Sequence, residues 1–191
     1  IVPHHRLEQC KVTIIGVGAI GRQVALQLAA MGIPWLQLID PDSVDESNLA
    51  SQGYLERDLG RPKVQATGEQ CQQMNNQLDV FELDDPFKRS HKIGHILFNC
   101  VDSIETRQRI WNIVRDESQF YCDGRMSAEV LRILTVCDPG DYDYYATTLF
   151  PQAQAYAGAC TAKTTIYCAN VAAGMMLAQF TKYLRQLPVD T

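Results

Sequence analysis

Val12-Thr13-Ile14-Ile15-Gly16-Val17-Gly18-Ala19-Ile20-Gly21 runs from an apolar stretch into three glycines spaced G-x-G-x-x-G, and a helix-like segment and a second apolar run closing on Asp40 follow. Strand, glycine turn, helix, strand and terminal carboxylate together are the sequence form of a mononucleotide-binding unit. The reason is backbone access. Gly16 lets the chain turn tightly, Gly18 removes the Cβ that would obstruct a phosphate, and Gly21 lets the helix approach the strand closely. The helix N-terminus then offers unpaired N–H groups and a positive dipole to an anion. Asp40 stands where a carboxylate accepts ribose hydroxyls, although an aspartate before Pro41 also suits a plain turn.

Outward from this unit, helix and strand signals alternate over about two thirds of the chain. Strands are expected near 11–16, 35–40, 79–83, 95–99, 120–123 and 131–137, with helices at 19–31, 61–76 and 104–117. That order predicts an α/β fold: a doubly wound, Rossmann-like, mostly parallel sheet with helices on both faces and some antiparallel pairing toward the C-terminal part. Residues 141–158 show no clear period and read as a long loop, and a final helix is expected over 161–185. That helix is apolar on nearly all sides, which places it in the core or in a subunit interface.

At 191 residues the chain suits one domain, 1–191, and is short for two. It lacks an initiating Met, so Ile1 is compatible with an internal position of a longer protein. A net charge of -5, with no stretch gathering enough Lys and Arg for a phosphate-tracking face, argues against a nucleic-acid partner. The longest apolar run, 171–178, falls far short of the roughly 20 residues that span a bilayer, so no membrane partner is expected. The 7 cysteines are scattered without a C-x-x-C pair, which suggests neither structural zinc nor a disulfide framework and fits a reducing cytoplasm.

Chemistry beyond the glycine turn and Asp40 is carried by three more blocks. Asn48-Leu49 is followed by Gln52, and Gly60-Arg61-Pro62-Lys63 opens a helix. A lysine in a first turn opposes the helix dipole and calls for an anion, such as a nucleotide phosphate, unless it is merely a solvated surface lysine. Asn99-Cys100-Val101-Asp102 ends the fourth strand, where Asp102 either caps the next helix or holds Mg²⁺ against phosphate oxygens.

Taken together, Gly16-x-Gly18-x-x-Gly21, Asp40, Asn48-Leu49-x-x-Gln52, Gly60-x-Pro62-Lys63 and Asn99-x-x-Asp102 resemble the ubiquitin-activating family, in particular its compact ThiF/MoeB/HesA-type members. The resemblance covers residues 6 to 185. It implies an adenylyltransferase that binds ATP and Mg²⁺ and activates the C-terminal glycine carboxylate of a ubiquitin-like or sulfur-carrier protein, releasing pyrophosphate, in a homodimer. On the matching positions it implies Asp40 on the ribose, Asn48 and Lys63 on the phosphates with Gln52 beside them, and Asp102 on magnesium.

Two departures stand out. The family's usual arginine after Asn-Leu is Ser51 here, so one cation is missing; Arg22, just past the last glycine, is the leading substitute, with Arg57 and Arg61 behind it. The family's second arginine commonly comes from a neighbouring subunit's N-terminal segment, which here means residues before Ile1 or Arg6. Cys160, at the expected start of the last helix, is the cysteine to weigh as a thioester-forming nucleophile against a packing role. Arg125 either binds the incoming carboxylate or pairs with Asp123. An NAD-dependent oxidoreductase or sensor, and a non-catalytic ATP-binding adaptor of the same fold, remain as alternatives. The first leaves Asn48, Lys63 and Asp102 unexplained, whereas the second accommodates Ser51.

Overall fold

A computed structural model describes residues 2–151, 153 and 166–191. The strands are β1 (Lys11–Ile15), β2 (Trp35–Ile39), β3 (Asp79–Leu83), β4 (Ile96–Asn99), β5 (Phe120–Ser127) and β6 (Val130–Val136). The helices are α1 (His4–Leu7), α2 (Ala19–Met31), α3 (Glu46–Gln52), α4 (Lys63–Met74), α5 (Ile104–Val114), α6 (Tyr142–Thr147) and α7 (Ile166–Leu184). They build one sheet in the order β3-β2-β1-β4-β5-β6, parallel throughout except for the antiparallel β5–β6 pair. This is the expected doubly wound arrangement.

Strand order reverses between β1 and β4, so the loops leaving their C-terminal ends diverge and open a crevice there. Gly16 N donates to Ile39 O at 2.9 Å and Cys100 N to Ile15 O at 2.8 Å, which ties both loops to the strand ends.

Alternation along each strand sends side chains to two separate cores. Val12, Ile14, Leu36, Leu38 and Phe98 pack against α2, α4 and α7 on one face. Ile15, Ile39, Leu97 and Tyr121 pack against Trp111 and Val114 of α5 and Tyr145 of α6 on the other. A sheet covered on both faces needs apolar residues at nearly every strand position, and β1, β2 and β4 supply them.

Three elements depart from expectation. Residues 46–52, outside every expected element, form α3: Asp45 accepts from Ser47 N at 2.7 Å and Asn48 N at 3.2 Å, and Asn48 Oδ1 accepts from Asp45 N at 3.1 Å, a reciprocal cap that starts a helix too short to show a period. Within the expected loop, residues 142–147 form α6, anchored by buried Tyr145 rather than by an amphipathic pattern. Finally, α7 is not enclosed all round. Its Ala169, Ala172, Ala173 and Met176 are buried, while Tyr167, Val171 and Met175 form a half-exposed apolar stripe.

Candidate functional site

The crevice at the sheet's C-terminal edge holds a cavity of about 470 Å³. Gly16 and Gly18 line it from the β1–α2 turn, Asp40 and Asp42 from the end of β2, Gln52 and Lys63 from α3 and α4, and Asp102 from the end of β4. Sequence-distant residues thus converge on one space.

The turn itself is a backbone structure. Gly16 sits at φ +87°, and a Cβ there would lie 2.8 Å from the Cys100 carbonyl carbon. A Cβ on Gly21 would lie 1.9 Å from Gly16 O, so this glycine allows α2 to pack on the turn. Gly18 is different: its missing Cβ leaves the cavity side open, with Gln52 Oε1 the nearest atom at 3.8 Å.

Asp40 braces the turn. Its Oδ2 accepts from Val17 N at 2.6 Å and its Oδ1 from Asp42 N at 2.9 Å. Burial raises its pKa above the ordinary aspartate value, and the two backbone N–H groups oppose that rise. Each carboxylate oxygen has about two lone-pair sites, so both keep capacity for a ribose hydroxyl.

Lys63 is the first residue of α4, and the anion its position calls for is Asp42: Lys63 Nζ donates to Asp42 Oδ2 at 3.0 Å. The ammonium is buried, so it is no solvated surface group. Gln52 closes α3 beside Gly18, and its Oε1 is buried without a hydrogen-bond partner among the described residues. An amide in that position is available to a ligand. Asp102 is exposed and forms no ion pair among the described residues, and the cap of α5 is Ser103, whose Oγ accepts from Thr106 N at 3.2 Å. Capping therefore does not occupy Asp102.

The structure places other candidates elsewhere. Arg22 is buried away from the cavity wall, its guanidinium 4.6 Å from the Tyr54 ring centroid and donating to Gln70 Oε1. It does not line the cavity, because the α2 face that carries it is turned toward α3 and α4. Asn48 likewise does not line the cavity; its side chain is spent on the α3 cap. Ser51 is buried, with Oγ donating to Ser47 O at 2.6 Å, and Arg61 pairs with Glu69 at 2.8 Å and Asp58 at 3.4 Å. Arg6 donates to Leu184 O at 2.7 Å and ties α1 to the end of α7. Cys160 lies outside the described residues. Of the remaining cysteines, Cys10, Cys71, Cys122 and Cys168 are buried; burial pushes the Cys10 thiol up to about 11 and Cys71 and Cys122 up to about 12.

Arg125 pairs with Asp123: Nε donates to Oδ2 at 2.8 Å, while its other nitrogens reach Thr148 O at 2.8 Å and Thr148 Oγ1 at 3.0 Å. Asp123 also accepts from Arg107 and, at 2.9 Å, from Tyr145 Oη. Two arginines share one buried carboxylate, and one of them, Arg107, lines the cavity. Burial first, then Arg125, lowers the Arg107 pKa.

Sequence reasoning missed one wall. Thr106, Arg109, Ile110 and Ile113 of α5 line the cavity together. Their spacing of three, four and seven was legible as a helix face, but nothing local told which face meets the crevice.

Magnesium chemistry can be tested against these donors. Among the described residues no group of three or more His, Cys, Asp or Glu could cage a metal. Mg²⁺ needs none, since it is usually held through one or two carboxylates plus substrate phosphates and water. The Asp102 carboxylate, which forms no ion pair among the described residues, fits that mode.

The family signature for "ThiF family" matches residues 4–190. The chain belongs to the ThiF family. Over 111 residues this ThiF-family chain is 32% identical to the sulfur carrier protein ThiS adenylyltransferase of Escherichia coli, a match covering 55% of this chain and 44% of that protein. It is 28% identical over 110 residues to the molybdopterin-synthase adenylyltransferase of Salmonella typhimurium, covering 54% and 44% respectively. The matches thus take in less than half the length of these two curated relatives. Among solved structures, E. coli MccB with ATP shares the fold at a TM-score of 0.74 and 19% identity, covering 97% of this chain and 59% of that one. PaaA does so at 0.73 and 22%, covering 97% and 59%. Among the described residues, no helix is long and apolar enough to cross a membrane.

Proposed function

We propose that this chain is the adenylation domain, spanning 1–191, of an adenylyltransferase that uses ATP to activate the C-terminal glycine carboxylate of a ubiquitin-like or sulfur-carrier protein. The observation that carries the proposal is convergence: Lys63 and Asp102, about 40 residues apart in sequence, line one cavity with Gly16 and Gly18. A nicotinamide reaction gives those two charges no task.

The triphosphate lies along the glycine turn. Asp40 accepts the ribose hydroxyls, and Lys63 with Gln52 holds phosphate oxygens. Magnesium, when bound on Asp102, neutralises the charge developing on the transferring and leaving oxygens. A carboxylate oxygen of the carrier attacks the α-phosphorus, the bond between the α-phosphorus and its bridging oxygen breaks, and pyrophosphate leaves. No general base is needed, because a C-terminal carboxylate is already ionised at neutral pH. Catalysis here is positioning plus preset positive charge. Transfer of the acyl group to the Cys160 thiolate, with AMP leaving, completes the reading. A second copy of the chain docks on the Tyr167–Val171–Met175 stripe of α7.

ATP–pyrophosphate exchange in the presence of a carrier ending in glycine tests the proposal, and label in ATP is the expected result. ATP binding without exchange for any such carrier would favour the adaptor reading, which the buried Ser51 and sequestered Arg22 support. A carrier adduct that is labile to hydroxylamine and lost in Cys160→Ala would support the thioester.

A further inference from the structure

The cavity wall has two chemically different parts. The glycine turn, Asp40, Lys63 and Asp102 are polar; Ile39, Phe87, Ile110 and Ile113, which pack in one hydrophobic cluster, are apolar. A nucleotide has the same division, with a charged phosphate chain and a flat aromatic base.

Three cations line the space, and two of them are committed. Lys63 holds Asp42 and Arg107 holds Asp123. Arg109 is exposed and forms no ion pair or hydrogen bond among the described residues. Asp102 precedes α5, and Arg109 lies about 7.5 Å along the helix from its first residue, Ile104, at 1.5 Å per residue. It stands next to Ile110 and one turn before Ile113, both of the apolar part.

We propose that Arg109 is a specificity-determining residue that holds the purine base, its guanidinium lying over the base while Ile110, Ile113 and Phe87 bury it. A guanidinium is planar and weakly hydrated, so it stacks on aromatic faces in a way an ammonium does not. The inference rests on reading the cavity as an ATP site and adds to it a contact that the glycine turn does not predict.

Calorimetric titration of this chain, and of its Arg109→Met and Arg109→Lys variants, with ATP and with AMP tests it. An exposed residue without partners among the described residues can be replaced without harm to the fold, which a melting curve would confirm. Both variants are expected to lose about fivefold in affinity, equally for ATP and AMP. A loss confined to ATP, or one that lysine restores, would mark Arg109 as a phosphate cation and overturn the proposal. Unchanged affinity in both variants would overturn it as well. Wild-type chain that binds neither nucleotide would instead sink the ATP reading itself, and this contact with it.

Discussion

Lys63 and Asp42 form an ion pair of unequal halves at 3.0 Å: the lysine side chain is 7% exposed and the aspartate 63%. The buried cation is set in place by α4, whereas its anion can swing into water. A phosphate oxygen can therefore take Asp42's place without unburying Lys63. Lys63→Met is expected to slow pyrophosphate exchange by about 10²–10³-fold, the cost of removing one preorganised donor. Its unfolding midpoint in urea should barely move, since Asp42 returns to solvent. Asp42→Asn should do the reverse, tightening ATP binding in calorimetry while lowering the stability of the ligand-free chain.

Asp102→Asn removes an exposed carboxylate that neither pairs nor caps among the described residues. Stability should stay within about 0.5 kcal/mol of wild type, as for ordinary surface substitutions. Exchange should fall and should require more magnesium to reach half its maximum. A lower melting temperature with an unchanged magnesium requirement would assign Asp102 to the fold instead.

The Asp40 carboxyl is raised above the ordinary aspartate value, chiefly by burial. The folded state therefore prefers it protonated. Its contribution to folding is most favourable in acid and is lost as pH rises through the elevated range. Nucleotide binding should show the opposite sign, because only the carboxylate keeps its full acceptor capacity for the ribose. Affinity for AMP is expected to weaken as pH falls, with a midpoint above that of an unperturbed aspartate. An Asp40→Asn variant should flatten this dependence in a calorimetric pH series.

Asp123 is fully buried between Arg107 and Arg125. Asp123→Ala leaves two arginines without their shared anion and should destabilise the chain by about 3–5 kcal/mol. Denaturant unfolding would measure this. A loss below about 1 kcal/mol would mean that water reaches both guanidinium groups.

Gly16→Ala faces both a left-handed backbone and a Cβ 2.8 Å from the Cys100 carbonyl carbon. The backbone strain alone costs on the order of 1–3 kcal/mol, and the contact adds to it. Gly32→Ala, at a similar φ of +87° but with nothing within 4 Å of its Cβ, carries only the strain. Comparing the two unfolding curves isolates the cost of crowding at the nucleotide turn.

Much of this architecture was legible in the linear chain. Hydrophobic period and glycine spacing act within a window of a dozen residues, so β1, α2 and β2 and the strand-end position of Asp40 follow from neighbours alone. Short capped or anchored pieces such as α3 and α6 escaped because a single turn or two has no period to read.

Which candidates share the cavity was decided by packing at long sequence separation. Arg22 has a site-like position beside the last loop glycine, yet Tyr54 and Gln70 draw it away; Arg109 has no motif, yet the orientation of α5 puts it in the cavity wall. A backbone turn is fixed by its own dihedral preferences, whereas the partner of a long charged side chain depends on whatever the fold brings within reach. For that reason the residues from 12 to 40 alone determined that a nucleotide-type turn forms, and only the tertiary structure settled which charges surround it.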